Sequence, residues 1–514
     1  MEKLKKFLPK PLLVLTLVVL LGAMLRFYKL GELSFVADEF LDINSSYAYA
    51  QTGIWQNWDF NRGQVNEENA FAPRDERAWI YKIQVASLFE FLPPTEGVAR
   101  SISAAWGVLT IGLIYLVAFQ MTRSKRIGLI AAFLFAVSVS ALIFDRRLRM
   151  YAMFAPLYLA FSYCVWAFLE KRYQGKRVFF KKIGDFGGFN FLYAPLALVL
   201  GVLSLMTHQL TGMFVFTLGA YLLVMFAIKF KEGAPIYRKY AFLLAATALA
   251  LAAVQIFAPA FFASFAAGLA FFEDHWSYLS HVSLDYATPL GALLLGAWGA
   301  AALYRKNDSR SAAVFLAASF LAPLFGAIFL WSRNVGPQYI FFAQPFAIIL
   351  LASGIDTVAL LAKESFSKHK KDGVYVLATL MLLAAVPNWP YFLGENTIYR
   401  QTSSAETPNY RKVFTYLKKH LSSGDAVIMR NFRNYYLSGE GARVYDFGGE
   451  LSKERLGAEQ IRSIKESNAR GFVVLSENDE TFLTKEALEY IEKNMFRVSD
   501  TAVRGNVKVY EWGK

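Results

Sequence analysis

One cysteine in 514 residues, Cys164 within an apolar run, leaves no partner for an internal disulfide. A fold stapled by bridges, or chemistry run on a thiol pair, is therefore excluded. Nucleotide and zinc signatures are also missing: no Gly-x-Gly-x-x-Gly follows a strand, and there is no phosphate loop and no His-Glu-x-x-His. No internal repeat is evident, which disfavours many transporter folds. What the chain has instead is apolar length. It is 55% hydrophobic with a mean hydropathy of +0.33, against roughly 45–50% apolar in soluble domains.

The excess is gathered into eleven runs: 11–28, 98–120, 127–144, 151–169, 190–206, 211–228, 240–271, 286–304, 311–331, 338–361 and 373–392. Runs of about 17–25 residues suit a bilayer core of roughly 30 Å. The first is read as a retained helix, because no small-residue cleavage site follows it. The seventh is long enough to be tilted or broken. The net charge of +14 would suit nucleic acid, but its placement argues otherwise. With the N-terminus inside, the inside segments hold 24 basic residues, from Lys3 to Lys371, and the outside loops few. That is the positive-inside signature, so the basic excess marks topology and no nucleic-acid partner is expected. The expected architecture is a polytopic α-helical membrane protein of about 11 transmembrane helices. Residues 1–392 form the membrane domain, with a large first outside loop at 29–97, and the N-terminus is cytoplasmic. Residues 393–514 form a C-terminal extracytoplasmic α/β domain. Its expected elements are helices at Tyr410–Leu421 and Thr484–Asn494 and strands at 426–429, 471–475 and 507–512.

The first loop is acidic and rich in aromatics, which suggests helices lying in the interface plane. Most of its acids read as solvated. Asp38 differs: it directly follows Phe35-Val-Ala37 and precedes a helical-looking stretch, with Glu39 beside it. A carboxylate at a membrane boundary is partly desolvated and holds its proton more tightly unless a cation offsets this, which makes it a candidate general base. Asp75, Glu76 and Arg77 offer a second acid and a guanidinium fork for phosphate. In the short outside loop Asp145–Tyr151, Arg146, Arg147 and Arg149 stand against the topology trend; anchoring lipid headgroups and gripping a substrate phosphate both explain them. His208 between two spans could hold a metal, meet a sugar hydroxyl or finish a helix end. Arg333 is another phosphate candidate, close to Gln338 and Tyr339. An acid beside phosphate-binding cations suits glycosyl transfer from a lipid phosphate. The acid takes the acceptor's proton, and cations, or a metal, stabilise the departing phosphate.

Seven stretches, in order, resemble one known group: ADEFLDINSSYAYAQTG (37–53), DERAWIYKIQVASLFEFL (75–92), GVARSISAAWGVLTIGLIYLVA (97–118), DRRLRMYAMF (145–154), THQLTG (207–212), GPQYIFFAQPFAIILLA (336–352) and YRKVFTYLKKHLSSGDAVIM (410–429). The chain resembles GT-C fold glycosyltransferases of the protein O-mannosyltransferase and aminoarabinose transferase group, glycosyltransferase family 39 in the wide sense. The resemblance implies Asp38 as catalytic base with Glu39 as its neighbour, and Glu76, or else Asp75, as the second acid. It implies Arg77, Arg146, Arg149 and Arg333 at the donor phosphate, and Asp145, Tyr151, His208, Gln338 and Tyr339 at the substrates. It also implies inverting transfer from a polyprenyl-phosphate sugar to a glycan, lipid or protein acceptor, outside a bacterial plasma membrane. A divalent metal ion is left open and no other cofactor is expected. Three positions depart from the pattern: Ala78-Trp79 replaces a Pro-Pro, Arg147 a glutamate, and Gln338 an arginine. The alternative is a carrier or transporter of lipid-linked sugars without chemistry.

Overall fold

The computed structural model describes residues 10–36, 38–66, 77–173, 188–270, 273–332, 335–365, 371–402, 405, 407–422, 424–446, 455–476, 478–499 and 507–513. Each of the eleven apolar stretches coincides with helix. In hydrocarbon a backbone without water must satisfy its own N–H and C=O groups, and a helix does so within the segment. Among the described residues six helices are long and apolar enough to cross a membrane: Glu96–Thr122, Tyr151–Glu170, Gln209–Lys231, Tyr237–Phe257, Asn307–Phe329 and Phe341–Ser365. A pair bent by 61°, Lys125–Ala136 and Val139–Asp145, makes up to seven. Three shorter apolar helices, at 11–27, 193–207 and 372–385, join them. The long seventh stretch is broken. Its helix stops at Phe257 and a new one starts at Pro259, whose ring removes a backbone donor and disfavours helix in the residue before it.

The chain forms two compact units, the first comprising residues 1–27, 103–146 and 150–393. Here the helices Pro289–Arg305 and Gln344–Ser365 cross so closely that a Cβ on Gly354 would stand 1.9 Å from the Leu295 carbonyl oxygen. A Cβ on Gly299 would stand 2.1 Å from that of Leu350. Small residues at such a crossing let two backbones touch where lipid supplies no hydrophobic drive. The bend near Ser138 is held from outside the pair. Asp285 accepts from the Ser138 hydroxyl at 2.9 Å and the Ser140 N–H at 2.7 Å, satisfying the start of Val139–Asp145.

The second unit comprises residues 28–102, 147–149 and 394–514. Its described residues include an antiparallel pair, β1 (Trp58–Asp59) and β2 (Gln64–Val65), and a larger sheet of β3 (Ala426–Met429), β4 (Arg443–Asp446), β5 (Gly471–Ser476), β6 (Phe496–Arg497) and β7 (Val507–Trp512), in the order β4-β3-β5-β7-β6. β3 runs parallel to β4 and β5, while β5–β7 and β6–β7 are antiparallel. β4, β6 and the helix Ala458–Ser467 are additions to the expected elements; β4 and β6 are too short to show a period-two pattern. Aromatic edges lock the N-terminal part of this unit to its C-terminal part. Phe40 lies 5.1 Å from Tyr410 and Phe35 lies 5.0 Å from Tyr435, ring centre to ring centre. Glu96 receives Arg411 at 2.6 Å and the Tyr436 hydroxyl at 2.8 Å.

Gly354→Ala should force the two helices apart. A loss of about 1–3 kcal/mol, the usual cost of overpacking, is expected as a lower melting temperature of the detergent-solubilised protein. An unchanged melting curve would show that the crossing gives way freely.

Candidate active site

The helix Glu39–Thr52 begins at Asp38. Residues four apart share a helix face and adjacent ones do not, so the two neighbouring carboxylates part company. Glu39 turns inward, 1% exposed, and meets Arg100 through two parallel bonds of 2.8 Å. It also accepts from the Leu148 N–H at 2.7 Å and the Val36 N–H at 3.1 Å. Arg100 in turn donates to the carbonyls of Leu33 and Ser34. Burial pushes the Glu39 carboxyl up, but Arg100 and the Leu148 N–H outweigh it and hold the pKa below the ordinary value. Glu39 is thus a buried brace tying the segment before the helix to residue 148.

Asp38 and Asp42 share the other face. One guanidinium serves both: Arg149 reaches Asp38 Oδ2 with Nη2 at 2.9 Å and Asp42 Oδ2 with Nη1 at 2.8 Å. The exposures of the carboxylates differ sharply, with the Asp38 side chain 48% exposed and that of Asp42 11%. Behind them lies Lys82, 1% exposed, donating to the Ser45 hydroxyl at 2.9 Å and lying 5.5 Å from the Trp55 ring centre. Burial raises the Asp42 pKa above its ordinary 3.8, with Arg149 and Lys82 pulling against it and the Asp38 charge adding to the rise. The result is an accessible carboxylate backed by two largely desolvated cations, which attract an anion far more strongly here than in water.

The other sequence candidates fall in several places. Asp75, Glu76 and Arg333 lie outside the described residues. Arg77 is exposed, one residue before Ala78, whose φ of 52° a proline ring could not adopt; that accounts for the missing Pro-Pro. Asp145 and Arg146 serve the scaffold of the first unit. Asp145 is 1% exposed and bonded at 2.8 Å to Arg26, itself fully buried. Gly107 packs against this pair so closely that a Cβ would lie 2.3 Å from the carboxylate. Arg146 donates to the carbonyls of Leu25 and Arg26, at 3.2 and 2.8 Å, and so finishes the first helix. In the same unit Tyr151 and His208 face each other at 5.3 Å, and His208 Nδ1 accepts from the Leu210 N–H at 3.0 Å. Gln338 folds its amide back over Gly336, and Tyr339 lies 5.6 Å from Trp331.

Lys82 and Asp42 were absent from the sequence candidates. Asp42 had a usable signal, standing four residues after Asp38 on one helix face. Lys82 had none, since a lysine in an amphipathic stretch ordinarily snorkels to water. The described residues contain no group of three or more His, Cys, Asp or Glu able to hold a metal. Arg149 stands where a cation shared by Asp38 and Asp42 would sit. These residues do not fit a bound dication.

Because the folded state binds the Asp42 proton more tightly than the unfolded chain, ionising Asp42 costs stability as the pH rises from 3.8 through its raised pKa. The melting temperature of the wild type should therefore fall relative to Asp42→Asn as the pH rises through that window. A difference independent of pH would contradict the raised pKa.

A scan of family models finds none that matches the chain, and a search of curated proteins likewise finds none. Comparison of folds does. The chain is similar to the archaeal oligosaccharyltransferase AglB of Archaeoglobus fulgidus, solved with an inhibitory peptide and a dolichol-phosphate. The TM-score is 0.60 at 12% identity, over 97% of this chain and 74% of that one. It is similar to ArnT from Cupriavidus metallidurans in the apo state, with TM-score 0.54 at 14% identity over 96% of this chain and 97% of that one. ArnT bound to undecaprenyl phosphate also matches, with TM-score 0.51 at 14% identity over the same shares. At these identities architecture is what is shared: this chain has the GT-C glycosyltransferase fold.

Proposed function

We propose that the protein is an inverting glycosyltransferase that moves a sugar from a polyprenyl-phosphate donor to a glycan, lipid or protein acceptor, on the extracytoplasmic side of the plasma membrane. The observation that carries this reading is the half-exposed Asp38 carboxylate held 2.9 Å from the nearly buried Arg149. Support for the donor class comes from the neighbours of the same fold, solved with dolichol-phosphate or undecaprenyl phosphate.

In this mechanism Asp38 accepts the proton of the acceptor's hydroxyl or amine as that atom attacks the anomeric carbon from the face opposite the phosphate. The bond from the anomeric carbon to the phosphate oxygen breaks with its electron pair. The negative charge that develops there is met by Arg149 and Lys82. Asp42 keeps the guanidinium oriented when Arg149 turns from Asp38 toward phosphate. Glu39 and Arg100 hold the backbone on which both depend. Arg77, with Glu76 and Asp75, is proposed to complete the donor site.

Asp38→Asn should lower transfer from a labelled polyprenyl-phosphate sugar by about 10²–10⁴-fold in membranes that express the variant normally. Wild-type turnover would remove Asp38 from the chemistry, and donor binding without release of polyprenyl phosphate in the wild type would favour the carrier reading. Arg149→Lys keeps the charge but loses the fork. A fall in kcat of roughly 10²–10³-fold, the cost of one oxyanion donor, is expected in the same assay. An unchanged kcat would mean that the two-carboxylate grip is dispensable.

A further inference from the structure

The first unit contains a cavity of about 1480 Å³ that the proposed chemistry does not use. It opens among the ends of helices Glu96–Thr122, Tyr151–Glu170, Phe214–Lys231 and Tyr237–Phe257, beside residues 307–311. This is the end at which the charge pattern places the basic loops.

Lys171 lies in its wall and is unusual for a cation. Its ammonium is ringed by Tyr163, Trp166 and Tyr193 at 5.2, 5.9 and 5.9 Å. Both of its hydrogen bonds go to neutral acceptors, the Gln120 amide oxygen at 2.7 Å and the Tyr163 hydroxyl at 2.8 Å. The adjacent carboxylate is not available to neutralise it, since Glu170 is engaged by Lys239 at 3.8 Å and the Tyr240 hydroxyl at 3.1 Å. Two more cations line the cavity, Arg123 and Arg172. Arg123 pairs with Asp308 at 2.8 Å; Arg172 has no ion-pair partner among the described residues. Burial and the nearby Arg123 both lower the Lys171 pKa. Trp166, 5% exposed, lines the same wall with a buried indole N–H that has no partner among the described residues. The rim has the opposite character: Leu192 and Ile236, 52% and 46% exposed, also border the cavity.

A cation with no carboxylate partner and a donor with no acceptor among the described residues call for an anion with acceptor oxygens. An exposed apolar rim calls for a molecule that also carries hydrocarbon. We propose that this cavity binds the phosphate headgroup of an anionic membrane lipid, with Lys171 as its central cation and Arg123 and Arg172 beside it. The proposal does not depend on the transferase reading.

The test is native mass spectrometry of the full-length protein in neutral detergent. The probes are dihexanoyl phosphatidylglycerol, dihexanoyl phosphatidylcholine and inorganic phosphate, and the variants are Lys171→Gln and Arg172→Gln. Phosphatidylglycerol should be retained roughly tenfold better than phosphatidylcholine, and Lys171→Gln should abolish most of that preference. Arg172→Gln, an exposed change that cannot unfold the chain, should weaken retention less, and added salt should weaken it further. Displacement of phosphatidylglycerol by an equal concentration of inorganic phosphate would overturn the lipid as the source while leaving an anion site. Equal retention of the two lipids, or retention unaffected by either variant, would overturn the proposal.

Discussion

A single guanidinium shared by two carboxylates of unequal exposure organises this protein's candidate centre. Arg149 sits between Asp38 and Asp42 at hydrogen-bonding distance from both. Burying a cation is costly unless it is paired and its donors are satisfied. Asp42, on the buried side, supplies that pairing, and Asp38 lies on the open side. In the proposed mechanism the donor phosphate takes the place of Asp38 at Arg149, which frees Asp38 to act as a base as the leaving group is gripped. Lys82, buried and donating to the Ser45 hydroxyl, adds a second positive charge behind the pair.

Other buried pairs brace each unit from within. Glu39 and Arg100 tie the start of the helix to residue 148 and to the carbonyls before it. In the other unit Arg26 and Asp145 are buried against Gly107, and Asp285 secures the bend at the start of Val139–Asp145. Breaking any of these pairs would leave an uncompensated charge in a dry place. Their value to the protein is therefore positional as much as energetic. The residues after 393 contribute as well, since Phe40, which follows Glu39 directly, is fully buried against Tyr410, Phe432 and Tyr436.

The fold was largely legible in the sequence because its strongest signals are long. A run of twenty apolar residues has few readings, and the eleven runs proved helical to within a few residues at most ends. Short elements were hidden: β4 and β6 are two to four residues long and carry no period. Within the candidate centre, Asp38 and Arg149 were visible because each breaks a local expectation, an acid at a membrane boundary and an arginine on the sparsely basic side. Position alone could not separate working charges from braces. Asp145, Arg146 and Glu39 share motifs with Arg149 and Asp38, yet only tertiary contacts reveal that Arg26, the carbonyls of Leu25 and Arg26, and Arg100 occupy them. Lys82 was hidden for the converse reason: its environment, not its neighbours in sequence, makes it unusual.

The central claim is chemical, that a lipid phosphate departs as a sugar is transferred with inversion. The most direct measurement incubates the purified protein with a polyprenyl-phosphate sugar carrying ¹³C at the anomeric carbon, and follows the lipid by mass spectrometry and the sugar by NMR. The account predicts stoichiometric release of polyprenyl phosphate and a transferred sugar of opposite anomeric configuration. Recovery of intact donor after saturating binding, or a product that retains the donor's configuration, would contradict it.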